Sequence, residues 1–145
     1  FTRALRRGDP IPIRGDDTAR DFTYVGDVVR GVLGAARWVC AERGAGVFNI
    51  GRSEPHRVLD VVQALAARMN VTPRVELTTR HPSECVVTAA DVTRAGVAFG
   101  YRPETPLDAG VEAWLRWVDH SDEAPAVLRA AGAAAGASGS ERGVP

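Results

Sequence analysis

The sequence predicts an α/β chain, and three observations predict it. Short runs of strand character alternate with amphipathic stretches of about 10–15 residues at helical period. Only a few such strands are present, and no glycine-rich turn follows the first, whereas a complete doubly wound domain shows both. The opening, Phe1 to Gly8, reads as the end of a helix closed by glycine. The chain is therefore expected to be the later part of a larger α/β protein, and its start at Phe1 rather than Met fits that expectation.

The elements follow in order. Asp9-Pro10 forces a turn, and Ile11-Pro12-Ile13 alternates as a short strand whose prolines confine it to an edge. Arg14 to Thr18 is a polar turn. Arg20 to Val25 alternates again, with Phe22 and Tyr24 on one face, as a second strand. Asp27 is an N-cap for a helix whose apolar positions run from Val28 through Cys40, continuing to Arg43 and stopping at Gly44. Val47-Phe48-Asn49-Ile50 suits a strand buried on both faces, of the kind found in parallel sheets. Ser53 is a cap, with Pro55 in the first turn, for a helix striped by Val58, Val61, Val62, Leu65, Ala66 and Met69.

Thr72-Pro73 ends that helix, Arg74 to Thr78 is a strand, and Arg80 to Glu84 is a polar loop. Asp91 caps a short helix closed near Gly100. Thr105-Pro106-Leu107-Asp108 is a capping box that opens a helix burying Leu107, Val111, Trp114, Leu115 and Val118. Domain organisation is read as a folded part over 1–123 and an Ala/Gly-rich tail over 124–145, weakly helical or disordered.

Composition narrows the function. The 145 residues carry 18 basic and 18 acidic side chains, so the bulk-electrostatic footprint of a nucleic-acid protein is missing. No apolar run reaches membrane-spanning length. Two cysteines, Cys40 and Cys85, are too few for a disulfide scaffold or a four-cysteine zinc site. Every basic residue other than histidine is arginine. Without lysine the chain supplies no Schiff base, no Walker-type phosphate loop and no Tyr-x-x-x-Lys dyad. His56 and His120 are placed on helices without ligand-spaced partners, Cys40 is placed on a buried helix face, and Tyr24 and Tyr101 are read as structural. Arg14-Gly15-Asp16 and the sequon Asn70-Val71-Thr72 are read as chance matches.

Five segments, in order, carry a resemblance. Gly8-Asp9-Pro10-Ile11 is similar to "G-x-P-I", and Arg20 to Val29 to "R-D-F-x-Y-V-D-D-V-V". Val47 to Gly51 is similar to "V-Y-N-I-G", and Pro82-Ser83-Glu84 with Ala90-Asp91 to "R-P-G-D" followed by "A-D". Gly100 to Val111, with Trp117 beyond, is similar to "G-F-x-P-x-T-x-L-E-E-G-L" and a closing Trp. Together they cover about Phe1 to Glu123 and resemble the C-terminal part of the NAD-dependent epimerase/dehydratase family, the extended short-chain dehydrogenases/reductases acting on nucleotide-sugars. The look is nearest to the UDP-glucuronate and UDP-glucose 4-epimerases.

The resemblance implies the substrate-binding portion of an extended Rossmann-type fold, lacking the N-terminal dinucleotide-binding half. It implies NAD as cofactor, held mainly by that other half, and a nucleotide-sugar, expected to be a UDP-sugar, as ligand. It implies a cytoplasmic protein that is a homodimer at full length. The implied chemistry is hydride transfer from a sugar carbon to NAD, then re-reduction on the other face or loss of water. Epimerase is the leading reading and 4,6-dehydratase the alternative. Other rivals are a stand-alone nucleotide-sugar-binding module and a purely structural partner.

Four residues are singled out for the substrate. Arg20 stands in "R-D-F", where a guanidinium can hold a diphosphate through two parallel hydrogen bonds; Asp21 beside it orients or pairs with it. Glu84 takes the place of the acid in "R-P-G-D", which meets the ribose or nearby basic groups. His81 stands where many members have arginine, and Arg80, one residue earlier, is the candidate substitute.

Overall fold

A computed structural model describes residues 1–42 and 44–120. The order is α1 (Thr2–Arg7), β1 (Ile11–Arg14), β2 (Ala19–Arg20), α2 (Val25–Glu42), β3 (His56–Arg57), α3 (Val58–Arg68), β4 (Val75–Thr78), α4 (Thr93–Phe99) and α5 (Leu107–His120). The expected α/β alternation is present. Arg43 and the tail over 124–145 lie outside the described residues.

β1 and β4 run parallel, with Ile11 opposite Val75 and Arg14 opposite Thr78. Ile11 N–H donates to the carbonyl of Arg74, just before β4, and Gly15 N–H to that of Thr78, so the alternation of the ladder turns the nitrogen of Pro12 to the other side, where a missing donor costs nothing. Ile11 and Ile13 point inward and are almost fully buried. Leu5 from α1, Val61, Val62, Leu65 and Ala66 from α3, and Val111 from α5 close over them as one core. α1 ends as expected on Gly8, in the left-handed region at φ 69°, and α4 likewise on Gly100 at φ 71°.

Several local expectations are corrected. β2 stops at Arg20, because the carbonyl of Tyr24 already accepts from Asp27 N–H and Val28 N–H and starts α2 at Val25. Asp27 therefore sits inside α2 and does not cap it. Fully buried, it accepts instead from the backbone N–H and hydroxyl of Thr105, and it pairs with Arg30. The Thr105 hydroxyl thus donates across to α2, and among the described residues no hydrogen bond closes the expected capping box on its own helix.

Ser53 does not cap α3. It holds φ 64°, and its hydroxyl donates to the carbonyl of Ala90, while α3 starts after β3. His56 lies on β3, not on a helix, and Cys40 is exposed. Val47 to Ile50 forms no ladder among the described residues. Val47 is 80% exposed, and Phe48 meets Trp38 and Phe99 edge-on with centroids 5.1 and 5.0 Å away. A strand buried on both faces needs a neighbour on each side, and the described residues supply none.

Candidate functional site

The site grows from a turn. β1 delivers Arg14, Gly15 takes φ 70°, and the buried Thr18 hydroxyl donates to the Arg14 carbonyl at 2.6 Å, closing residues 14–18. The chain then enters β2, which is bracketed on both sides. β3 pairs antiparallel with it, and residues 86–88 run along the other edge, with Ala19 N–H donating to Val86 O and Thr88 N–H to Ala19 O. Arg20 emerges from this support with its Nη1 donating to the carbonyls of Ala19, at 2.8 Å, and Val86, at 3.1 Å. One nitrogen anchors the guanidinium. Among the described residues Nε and Nη2 carry no hydrogen bond, and no carboxylate pairs with Arg20.

Arg20 and Glu84 line one cleft of about 300 Å³, at the small end of ligand sites. Pro12, Ile13 and Val58 give it apolar walls; Arg14, Thr18 and Cys85 complete its lining. Glu84 accepts from Arg14 Nη1 at 2.5 Å, and that hydrogen bond holds its carboxyl below the usual range. The cleft carries two guanidinium groups against one carboxylate. With Arg14 paired to Glu84, the guanidinium of Arg20 is the cation of the cleft that no carboxylate neutralises among the described residues.

Arg80 and His81 do not line this cleft. Arg80 is paired with Asp17 and ties the 80–84 loop to the 14–18 turn. His81 is exposed, its Nδ1 engaged with the hydroxyl and N–H of Ser83. The expected partnership of Asp21 with Arg20 is also absent. Asp21 faces the other way and knots three backbone segments: its Oδ1 accepts from Arg52 N–H at 3.0 Å, and its Oδ2 from Ser53 N–H at 3.0 Å and Ala90 N–H at 2.9 Å. Burial raises its carboxyl, but these amides and the Thr23 hydroxyl outweigh burial and leave it below the usual value.

Beside this knot a second, wider cleft of about 470 Å³ runs between Thr23, Asn49, Gly51 and Thr88. Gly51 is buried there, under the hydroxyl of Tyr101, which donates to its carbonyl at 2.9 Å; a Cβ on Gly51 would run into Ala90 and come 2.8 Å from the Asp21 carboxylate. Packing therefore accounts for Gly51, and for Tyr101 as expected. Asn49 donates to the Asp91 carbonyl at 3.2 Å.

Sequence reasoning missed Arg14 and the true task of Asp21. The burial alternation of Ile11 and Ile13 was the available signal for Arg14, since it turns Pro12 and Arg14 outward together. No local signal exists for Asp21. As to a dinucleotide, no glycine-rich strand–turn–helix cradle occurs among the described residues. They do not fit that group by themselves.

No family model matches the chain. It is 34% identical over 134 residues to UDP-glucuronate 4-epimerase 1 of Arabidopsis thaliana, an alignment covering 81% of this chain and 31% of that protein. Among solved structures, MoeE5 in complex with UDP-glucose and NAD superposes with a TM-score of 0.72 at 32% identity, over 81% of this chain and 39% of that one. UDP-glucuronic acid 4-epimerase from Bacillus cereus, in complex with UDP-glucuronic acid and NAD, gives 0.64 at 29% identity, over 77% of this chain and 36% of that one. The chain thus spans about a third of the length of the curated relatives it matches. NAD is the cofactor with which these structural neighbours are solved. Five ordered motifs, the α/β architecture and these likenesses agree: in sequence and fold the chain is similar to the C-terminal part of the NAD-dependent epimerase/dehydratase family.

Proposed function

We propose that this chain is the nucleotide-sugar-holding portion of an NAD-dependent UDP-sugar 4-epimerase, with UDP-glucuronate as the sugar nucleotide it takes. The observation that carries the reading is the cleft in which Arg20, fixed by two carbonyls through one nitrogen, presents its remaining edge beside an apolar wall. A diphosphate fits that edge, and the nucleoside fits the wall. Glu84, on the same cleft, is the carboxylate for a neighbouring cation, and it accepts from Arg14.

The chain has no lysine, so the Tyr-x-x-x-Lys dyad that the resemblance implies lies outside it, and in this reading the chain alone turns nothing over. Its share of catalysis is remote binding, which holds the reacting sugar in place from a distance. The full-length protein, in this reading, is a cytoplasmic homodimer. Arg80 and His81, in contrast, serve the loop and not the ligand.

Titration calorimetry of UDP-glucuronate against the 145-residue chain tests the reading. Arg20→Ala is expected to weaken binding roughly tenfold or more, the loss of one or two charge-assisted hydrogen bonds. Binding that is absent, or indifferent to Arg20, overturns it.

A further inference from the structure

The cleft holds a second arginine that the family resemblance does not assign. Arg14 comes from the end of β1, while Arg20 comes from β2, and across the turn closed by Thr18 both line the one cleft. The two are held alike. In each, Nη1 is the anchored nitrogen: to two carbonyls in Arg20, to the Glu84 carboxylate in Arg14. A guanidinium has five N–H donors in a planar fork, so one anchored nitrogen leaves a full edge for a ligand.

Arg80, in contrast, is committed to Asp17 and turned off the cleft, and position 81 holds histidine. The polar loop thus brings no cation to the cleft, and the turn brings one. The two ion pairs between turn and loop have opposite polarity, Arg14 with Glu84 and Asp17 with Arg80, so loop and turn are locked in register, with Arg14 at the cleft mouth.

We propose that Arg14 is a second anion-binding residue, forming with Arg20 a two-arginine clamp for the acidic groups of a nucleotide-sugar, and that Glu84 is its positioning residue. The proposal rests on the functional reading above. The shared chemistry is an anionic oxygen pair, supplied by the diphosphate or by a sugar carboxylate.

The test is titration calorimetry of UDP, UDP-glucose and UDP-glucuronate against the wild-type chain, Arg14→Ala, Arg14→Lys, Glu84→Gln and Arg20→Ala. Arg14 is 66% exposed in its side chain, so its variants keep the fold, which an unchanged urea midpoint verifies. Arg14→Ala is expected to weaken all three ligands roughly tenfold. Arg14→Lys is expected not to restore them, because one ammonium cannot offer two parallel donors. Glu84→Gln is expected to give a smaller loss that vanishes in the Arg14→Ala background, a coupling that a purely structural role would not produce.

A loss confined to UDP-glucuronate also supports the clamp and places the sugar carboxylate, not the phosphates, on Arg14. If Arg14→Ala binds all three within twofold of wild type while Arg20→Ala does not, the clamp is wrong and the functional reading stands. If neither arginine matters, or the wild-type chain does not bind, the functional reading fails and the clamp with it.

Discussion

Asp21→Asn is the sharpest test of how the site is held. The substitution keeps shape and removes one acceptor and the charge. The carboxylate receives two amides on Oδ2, from Ser53 and Ala90, and one amide with the Thr23 hydroxyl on Oδ1. An asparagine must turn its NH2 toward one of these groups of donors. The lesser loss faces it to Arg52, stranding one backbone N–H, and the remaining bonds lose their charge assistance. A stranded donor costs about 1–3 kcal/mol and the weakened bonds add to it, so about 2–4 kcal/mol is expected. Urea unfolding followed by tryptophan fluorescence should show a midpoint lower by about 1–2 M at an unchanged slope.

The pH dependence follows from the lowered carboxyl of Asp21. The unfolded chain takes up this proton first, so the stabilisation is full above the unfolded value, roughly pH 4, and is lost as the pH falls through the lower folded value. The gap between wild type and Asp21→Asn should therefore narrow on acidification. A variant within about 0.5 kcal/mol of wild type at pH 7, or a gap that widens toward pH 3, refutes the account.

Further outcomes follow from the same geometry. Gly51→Ala forces a methyl group against Ala90 and the Asp21 carboxylate and should cost about 1–3 kcal/mol; its effect should not add to that of Asp21→Asn, measured in a double-mutant cycle. Tyr101→Phe removes the donor to the Gly51 carbonyl at a site 5% exposed and should lower stability by about 1–2 kcal/mol in the same unfolding assay. Leu65→Ala, in the core between α3 and β1, should cost about 2–5 kcal/mol in calorimetric unfolding while leaving nucleotide-sugar affinity unchanged under folding conditions.

What was legible in the sequence was local. The valine stripe of α3 has a period that only a helix satisfies, and Gly8 and Gly100 mark helix ends because few other residues take positive φ. Arg20 was singled out because its motif surrounds it, and the structure puts it on the cleft. Illegible features depend on partners far along the chain. Asp27 reads as a cap by its neighbours, yet its main partner, Thr105, lies 78 residues away. Asp21 reads as an arginine's companion, yet its acceptors serve residues 52, 53 and 90. Val47 to Ile50 has strand composition, but composition does not supply the neighbours a strand needs. Arg80 was singled out and Arg14 was not, because the sequence does not say that Arg80 meets Asp17 and Arg14 meets Glu84.

The cleft draws its walls from β1, the 14–18 turn, β2, the start of α3 and the 80–84 loop, spread over some seventy positions. No single segment can hold a ligand before the others have docked, and closing such long loops is the slow part of folding. Binding competence is therefore a property of the whole folded chain, and any ligand of the cleft acts as a linked stabiliser. At a hundred times its dissociation constant it deepens the native well by about 2.7 kcal/mol, without any turnover. A rise in the melting temperature with nucleotide-sugar concentration would then report cleft occupancy directly, in a chain whose own residues carry no dyad for the chemistry.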